Sequence, residues 1–536
     1  MTSPIEVALA PAPGQAKPYS YDLVPYDSQP FAQSQPDQVA AMARLFGLSP
    51  VPPENARVLE LGCASGGNII ALAARYPGMH IVGVELSKVE AEQGQATIAA
   101  LALTNIQIRH ADIVDVSKET AQYDYIIAHG VFSWVPEAVQ DALLSLCGKQ
   151  LSDDGVAYIS YNVYPGWKMR EVIREMMLFH AGGLSDPQTK LQQGRAILDY
   201  ARKINSNDSA FGKLLAQEAE LAMKANDYYL FHDHLEENNH PCYFKDFVAR
   251  ADQHGVAYLG EASLVDMAPQ RFGGDIAQTL AMLSKGNIIA TEQYMDFFTN
   301  RMFRQTLLVK QSQVGKITRN LSPGSVRALH FSSAMAREAS ADGAAVYKDA
   351  QGRMLTVRDP VMAAVADTLV LAQPMSASID NMVATLRSRN LGAGQADAVL
   401  QEAVGTQMLT LMLQGMVRSY YSPLRPATIA AQPIAFGPAR AAAQLPCKPG
   451  AVRIVPNTFH QNSGLNEVQA ALLCSLDGSR SMAQIEALLL EKFVAGAFTA
   501  SQDGKAITDP EILKGIMSNF CANALADFAR LGLMQP

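Results

Sequence analysis

The stretch Val58-Leu-Glu-Leu-Gly-Cys-Ala-Ser-Gly-Gly-Asn68 reads as a strand that runs into a glycine loop and then opens a helix. Apolar Val58, Leu59 and Leu61 surround Glu60. Gly62, Gly66 and Gly67 let the backbone turn and approach a ligand where a side chain would collide. The loop lacks the Gly-Lys-Ser/Thr of a triphosphate cradle, and its spacing departs from a plain dinucleotide loop. Glu60, one residue inside the strand end, favours a cationic ligand over a pyrophosphate. About 20 residues on, His80-Ile-Val-Gly-Val-Glu85 ends a second strand in a carboxylate placed to accept from two ribose hydroxyls. A cationic nucleoside with a free ribose points to S-adenosylmethionine, with S-adenosyl-L-homocysteine as product and no metal.

The surrounding chain supports a sheet. Strands are expected at residues 58–61, 81–85, 106–110, 123–128 and 156–161, alternating with helical periodicity over 68–76, 88–102 and 136–150. That alternation predicts an α/β fold, a doubly wound Rossmann-like domain with parallel strands and crossover helices. Ligand then lies outside the carboxyl ends of the strands. Glu60 to Asn68, Glu85 with Leu86, Asp112 with Ile113, and His129-Gly130 all fall at such ends. Cofactor-binding candidates are therefore Glu60, Gly62, Cys63, Ala64, Gly66, Asn68, Glu85, Leu86, Asp112, Ile113, His129 and Gly130. Asp112 is placed to accept from an adenine amino group, or equally to cap a helix. Phe132 and Trp134 after the fourth strand, and Tyr161 and Trp167 around Tyr161-Asn-Val-Tyr-Pro-Gly-Trp167, are candidates for lining the methyl-acceptor entrance. Aromatic faces attract cations by roughly 0.5–2 kcal/mol.

Bulk properties bound the rest. The 536 residues call for three or more domains, and 49% hydrophobic content supplies the cores. A net charge of -8 argues against broad nucleic-acid binding, and no apolar run is long enough to insert in a membrane. The Pro- and Ala-rich start lacks the pattern of a secretory signal, so a flexible tail on a cytoplasmic protein is expected. The 6 scattered cysteines read as buried free thiols, Cys63 included. His232-Asp-His234 with His240 has loose spacing for a metal and reads as part of a helical segment. Helical patterning covers residues 167–181, 186–225 and 241–254, then a strand at 256–261 that completes the sheet, then a helix at 292–309. Beyond about residue 322, two stretches, 374–421 and 479–534, each look like winged-helix units suited to protein contact.

Taken together, these residues resemble a bacterial methyltransferase family that joins an adenosylmethionine domain to a methyltransferase regulatory domain. It includes the rickettsial outer-membrane-protein lysine methyltransferases. The likeness is most specific in Tyr21-Asp-Leu-Val-Pro-Tyr26, Glu60-Leu-Gly-Cys63, Ser133-Trp-Val-Pro136, Tyr164-Pro-Gly-Trp167, Phe231-His232 and Tyr258-Leu-Gly-Glu-Ala262. The resemblance implies adenosylmethionine and often a homodimer, and it does not fix the acceptor. Large helical modules beside the catalytic domain suit a macromolecular acceptor, so a protein substrate and lysine N-methylation are expected. Alternatives are a small-molecule methyltransferase or a cofactor-binding scaffold without turnover. For a lysine acceptor, Asn162, Tyr164 and Tyr26 are the catalytic candidates, orienting the amine or closing the site. The expected division is a tail at 1–25, a methyltransferase domain at 26–180, a helical and dimerising insertion at 181–230, a regulatory domain at 231–318 and a C-terminal domain at 319–536.

Overall fold

A computed structural model describes residues 20–535, apart from 27, 207, 341, 342, 428, 449, 500, 503, 504 and 508. The central sheet contains β1 (Arg57–Leu61), β2 (His80–Glu85), β3 (Ile106–His110), β4 (Tyr123–Ala128), β5 (Leu151–Asn162), β6 (Val256–Glu261) and β7 (Phe303–Lys310). Their order is β3-β2-β1-β4-β5-β7-β6. The first five run parallel, with Val58 opposite both Ile81 and Tyr125. β7 enters antiparallel between β5 and β6, pairing Ala157 with Leu308 and Glu261 with Thr306.

Alternation along the strands gives the sheet two buried faces. Val58, Ile81, Tyr125, Ile127 and Tyr158 pack into one apolar core; Leu59, Leu61, Ile126, Ala128 and Ile159 pack into the other. Because the strand order reverses once, where the chain passes from β3 back to β4 beside β1, β1 lies at the switch point and its carboxyl end faces the crevice.

The helix expected over 292–309 is instead two elements. A helix, Ile288–Thr299, stops at Asn300 in the left-handed conformation, φ +50°, and β7 follows. Helical spacing of the aromatics Tyr294, Phe297 and Phe298 obscured the switch to strand period at Phe303. Arg304 explains the strand's position. It is fully buried and bonds Glu261 (2.7 Å), Glu292 (2.9 Å) and Asp296 (2.9 Å) across β6 and the preceding helix. Its guanidinium also sits 3.6 Å over the Phe244 ring.

The helical insertion is likewise two helices where one stretch was expected, Pro187–Ile204 and Ala210–Lys224. With Gly166–Ala181 and Asp227–His234 they enclose a core of their own around Ile173, Met177, Leu198, Leu215 and Phe231. The tail expected at 1–25 is corrected in part. Residues 1–19 lie outside the described residues, but Ser20–Leu23 is a helical turn and the following residues run across the mouth of the crevice.

Two C-terminal units follow. In the first, His330–Ser333 lies between Ala377–Ser378 and Val417–Tyr420, backed by helices Pro360–Ala372, Ile379–Ser388 and Asp397–Leu413. Its apolar residues are continuous with one face of the central sheet. In the second, helices Gly437–Gln444, Glu467–Ser475, Met482–Val494 and Pro510–Arg530 surround the hairpin Arg453–Pro456 and Asn462–Leu465. Its core takes in Ala71 from the helix that follows the glycine loop.

Removing the Arg304 cation leaves Glu292 without its cationic partner and Glu261 and Asp296 with Arg301 alone. Arg304→Leu is expected to destabilise this region by about 3–5 kcal/mol. Urea unfolding followed by tryptophan fluorescence checks it, since both tryptophans, Trp134 and Trp167, lie in the crevice walls. A change below about 1 kcal/mol would show that the network contributes little.

Candidate active site

The carboxyl ends of β1, β2, β3 and β4 open onto a cavity of about 520 Å³. Its floor is the glycine loop. Gly66 adopts φ +80° at the start of helix Gly67–Arg75, a conformation costly for any residue with a Cβ. A Cβ at Gly67 would lie 2.3 Å from the carbonyl oxygen of Ser28, so the loop and the N-terminal segment can meet only across a glycine. The Gly67 N–H donates to Ser28 Oγ at 2.7 Å, which fixes that approach.

Carboxylates dominate this end. Glu60 is buried, and its Oε1 accepts from Asn68 Nδ2 at 2.7 Å while its Oε2 has no partner. Burial, reinforced by nearby Glu85, pushes the Glu60 carboxyl up to about 8 despite the bond from Asn68. Glu90 is also raised to about 8, by burial and then by Glu85, although it accepts the Tyr26 N–H at 2.6 Å. Glu85 accepts from the amides of Ala64 (2.9 Å) and Ser87 (2.7 Å), which position it at the end of β2; burial raises it as well. Asp112 caps a helix at the cavity wall. Its Oδ1 caps Val114 N–H at 2.8 Å, and the residue lines the cavity.

Beyond β4, the His129 ring packs against Phe31 at 3.8 Å, with Nδ1 2.9 Å from the Tyr158 hydroxyl. Burial pushes it down to about 4, so it is neutral near pH 7. Gly130 N–H donates to Ser160 Oγ at 2.7 Å. Burial, then Glu60 and Glu85, push the Cys63 thiol well up, which removes it as a nucleophile. Cys147 and Cys521 are buried too, whereas Cys447 is exposed, against the expectation of uniform burial.

The other end of the cavity was largely missed from sequence. Tyr229, His232, Asp233 and Glu236 come from helix Asp227–His234 and the turn after it, facing Trp134, Trp167 and Arg170. His232 stacks on Tyr21 at 4.0 Å and its Nε2 donates to the Val24 carbonyl at 2.7 Å. Burial opposes ionisation of Glu236, yet His232 and Ser20 bring its carboxyl down to about 2. The His-Asp-His run therefore ties the N-terminal segment around Tyr21 and Val24, a strap over the crevice, to helix Asp227–His234. Among the described residues no cluster of side chains suits a metal ion. The signal for these residues in the sequence was the unusual density of aromatic and acidic residues across 226–236.

The candidates of the sequence reading separate cleanly. Glu60, Gly62, Cys63, Ala64, Asn68, Glu85, Leu86, Asp112, Ile113, His129 and Gly130 line the cavity, as do Tyr26, Trp134, Asn162 and Trp167. Gly66 does not; a Cβ there would meet Ile108 and Ile70 on the side of the core. Phe132, in a short turn after β4, and Tyr161, on β5, are buried in the core and packed on Phe247 of helix Phe244–Gln253 at 5.1 and 3.9 Å. Tyr164 turns away, its hydroxyl donating to Glu171 at 2.5 Å.

Comparison with known proteins agrees with this architecture. A methyltransferase domain model matches residues 58–155, a predicted methyltransferase regulatory domain matches 226–310, and a PKMT C-terminal winged helix domain matches 432–533. The uncharacterized protein RP789 of Rickettsia prowazekii (strain Madrid E) is 32% identical over 527 residues, 94% of this chain and 93% of that protein. RP028 of the same organism is 37% identical over 235 residues, 44% of this chain and 94% of its own. The structure of PKMT2 from Rickettsia typhi in complex with AdoHcy superposes with a TM-score of 0.83 at 28% identity, covering 96% of this chain and 100% of that one. The chain belongs to this family of class I S-adenosylmethionine-dependent methyltransferases, in which a regulatory domain and a PKMT-type winged helix follow the catalytic sheet.

Proposed function

We propose that the chain methylates the Nζ of lysine in a protein acceptor. One observation carries this reading: a single cavity has acidic and aromatic walls at both ends, so it suits two cations at once. At the glycine-loop end, the unpartnered Glu60 Oε2 sits in a wall with Glu85, Glu90 and Asp112, which fits the ammonium and ribose of S-adenosylmethionine. When bound, that group supplies an electrophilic methyl on a sulfonium. Glu85 and Leu86 would hold the ribose end, Asp112 and Ile113 the base, and His129 with Gly130 the methionine end. Gly62, Cys63, Ala64 and Asn68 shape the floor.

The acceptor would enter between Trp134, Trp167 and Tyr229, with Asp233 and Glu236 drawing an ammonium inward. A lysine must shed a proton before attack, at a cost of about 4.6 kcal/mol at pH 7. Burial among aromatic rings lowers that cost. Asn162, whose Nδ2 donates to Asn239 at 3.0 Å, lines the cavity and would orient the amine with Tyr26. Transfer then depends on alignment more than on a side-chain base. Arg387 and Arg389 of the first C-terminal unit are paired with Asp397 and Asp367, which favours protein over nucleic acid as the large partner. No helix among the described residues is long and apolar enough to cross a membrane. The helical insertion exposes Tyr200, Ile204 and Met223, and the helix before it exposes Phe179, which supports a homodimer through that region.

Radiolabelled methyl transfer into the protein fraction of a lysate, recovered as methyl-lysine on hydrolysis, is the direct test; label confined to small molecules would sink the reading. Asp233→Asn is expected to raise KM for the acceptor about tenfold, some 1.4 kcal/mol, while AdoHcy affinity stays within about twofold. Tyr164→Phe should leave turnover within about twofold, because its hydroxyl bonds Glu171 and not the cavity.

Glu60 also sets a pH dependence. Its ionised form attracts an ammonium and its neutral form does not, so with the carboxyl raised to about 8 the empty site is mostly protonated at pH 7. AdoHcy affinity, measured by calorimetry, should rise with pH by up to about tenfold per unit from pH 6 and level off near pH 8. Glu60→Gln should flatten that slope; an unchanged slope would assign the proton to another group.

A further inference from the structure

The hairpin Arg453–Pro456 and Asn462–Leu465 of the C-terminal domain ends in a turn that reaches the glycine loop. Asn457 builds the turn. Its Oδ1 accepts from the amides of Phe459 (3.0 Å) and Gln461 (2.9 Å), and its carbonyl accepts from His460 N–H at 3.0 Å. His460 is held at φ +59° and is 1% exposed. Its Nε2 lies 2.7 Å from Asn68 Oδ1.

An amide oxygen can only accept, so His460 must present an Nε2–H to Asn68. The same oxygen accepts the Phe31 N–H at 2.9 Å. With Oδ1 held by two donors, Nδ2 is forced toward Glu60 Oε1 at 2.7 Å and Ser34 Oγ at 3.1 Å. A flipped amide would set its NH₂ against the Phe31 N–H, a fixed donor. The amide therefore has one satisfied orientation, and in it His460 Nε2–H is the second donor that holds Oδ1. Burial, then Arg75, push the imidazole down to about 3, so it stays a neutral donor across the working range.

The geometry points to His460 as a positioning residue for the cofactor, acting through Asn68 to hold Glu60 in the wall of the cavity. The C-terminal domain is then part of the cofactor site, although His460 stands 392 positions from Asn68 in sequence. This rests on the cofactor reading above. Its action is on cofactor affinity, leaving acceptor binding alone.

Calorimetry with AdoHcy on the full chain tests it. His460→Met keeps the volume and removes the donor; His460→Gln restores an N–H. The Met variant should bind AdoHcy at least about tenfold more weakly, with acceptor KM within about twofold, and the Gln variant should recover most of the loss. In the Asn68→Ala background, His460→Met should add little, because the link is already cut. Asn462→Ala removes the neighbouring bond from Asn462 Nδ2 to Gln29 (2.8 Å) and should leave affinity unchanged. Unaltered affinity in the Met variant, additive losses with Asn68→Ala, or an equal loss in Asn462→Ala would each overturn the assignment to His460. Failure of the unmodified chain to take up AdoHcy would overturn the cofactor reading itself, and this inference with it.

Discussion

Burying a carboxylate at the end of a central strand is the constraint around which this molecule is organised. Glu60 lies on the apolar face of β1 beside Val58, where burial and then nearby Glu85 raise its cost of ionisation. One oxygen is satisfied by Asn68 and the other has no partner. A site in that condition is either protonated or waiting for a cation, and the raised carboxyl of Glu90 beside it makes the demand stronger. The glycine loop, the strap over it and the hairpin behind it each donate hydrogen bonds to neighbouring acceptors, but none donates to that oxygen. The unmet interaction is thus specific to one place, which is how a pocket comes to favour a positively charged nucleoside over a pyrophosphate.

A second buried cluster in the same sheet shows the opposite solution. Around Arg304, the carboxylates of Glu261, Glu292 and Asp296 are met internally by the guanidinium, by Arg301 and by the Tyr258 hydroxyl. Nothing there requires a ligand. The cluster ties β7 to β6 and to helix Ile288–Thr299, and so anchors the segment that returns to the sheet after the helical insertion. That anchoring places Met302 and Phe303 in the cavity wall. Two groups of buried charge, one closed and one open, therefore divide the work of holding the fold and binding cofactor.

The parallel half of the sheet was legible in sequence because short apolar strand runs alternated with helical periodicity, with glycine or proline at many of the junctions. The cavity's glycine-loop end was legible for the same reason: its residues sit at strand ends within about 75 residues of chain, where topology alone gathers them. The acceptor end was not. Its walls come from residues near 20–31, 134, 167 and 229–238, and no local period relates a strap to a helix 200 positions away. Tyr161 and Phe132 were misplaced because an aromatic residue at a strand end can face either the crevice or the crossover layer, and one residue of register decides which. Arg304 was hidden because a buried cation leaves no signature until its carboxylates are brought to it.

The C-terminal units would look, from sequence, like appendages. Their apolar cores run into those of the catalytic domain, and polar, directional contacts stand beside that packing. Asp37, at the start of helix Pro36–Leu45, accepts the Ser422 N–H at 2.9 Å; Gln29 accepts from Asn462; Asn68 accepts from His460. An apolar interface tolerates sliding, since one methyl group contacts much like another. A buried hydrogen bond does not, because a displaced donor leaves an acceptor unsatisfied at about 1–3 kcal/mol. Polar contacts at this boundary therefore define one docking position where hydrophobic burial alone would permit several. Since Asn68, which accepts from His460, is the same residue that holds Glu60, the placement of the distal domain and the electrostatics of the cofactor pocket are linked through a single amide.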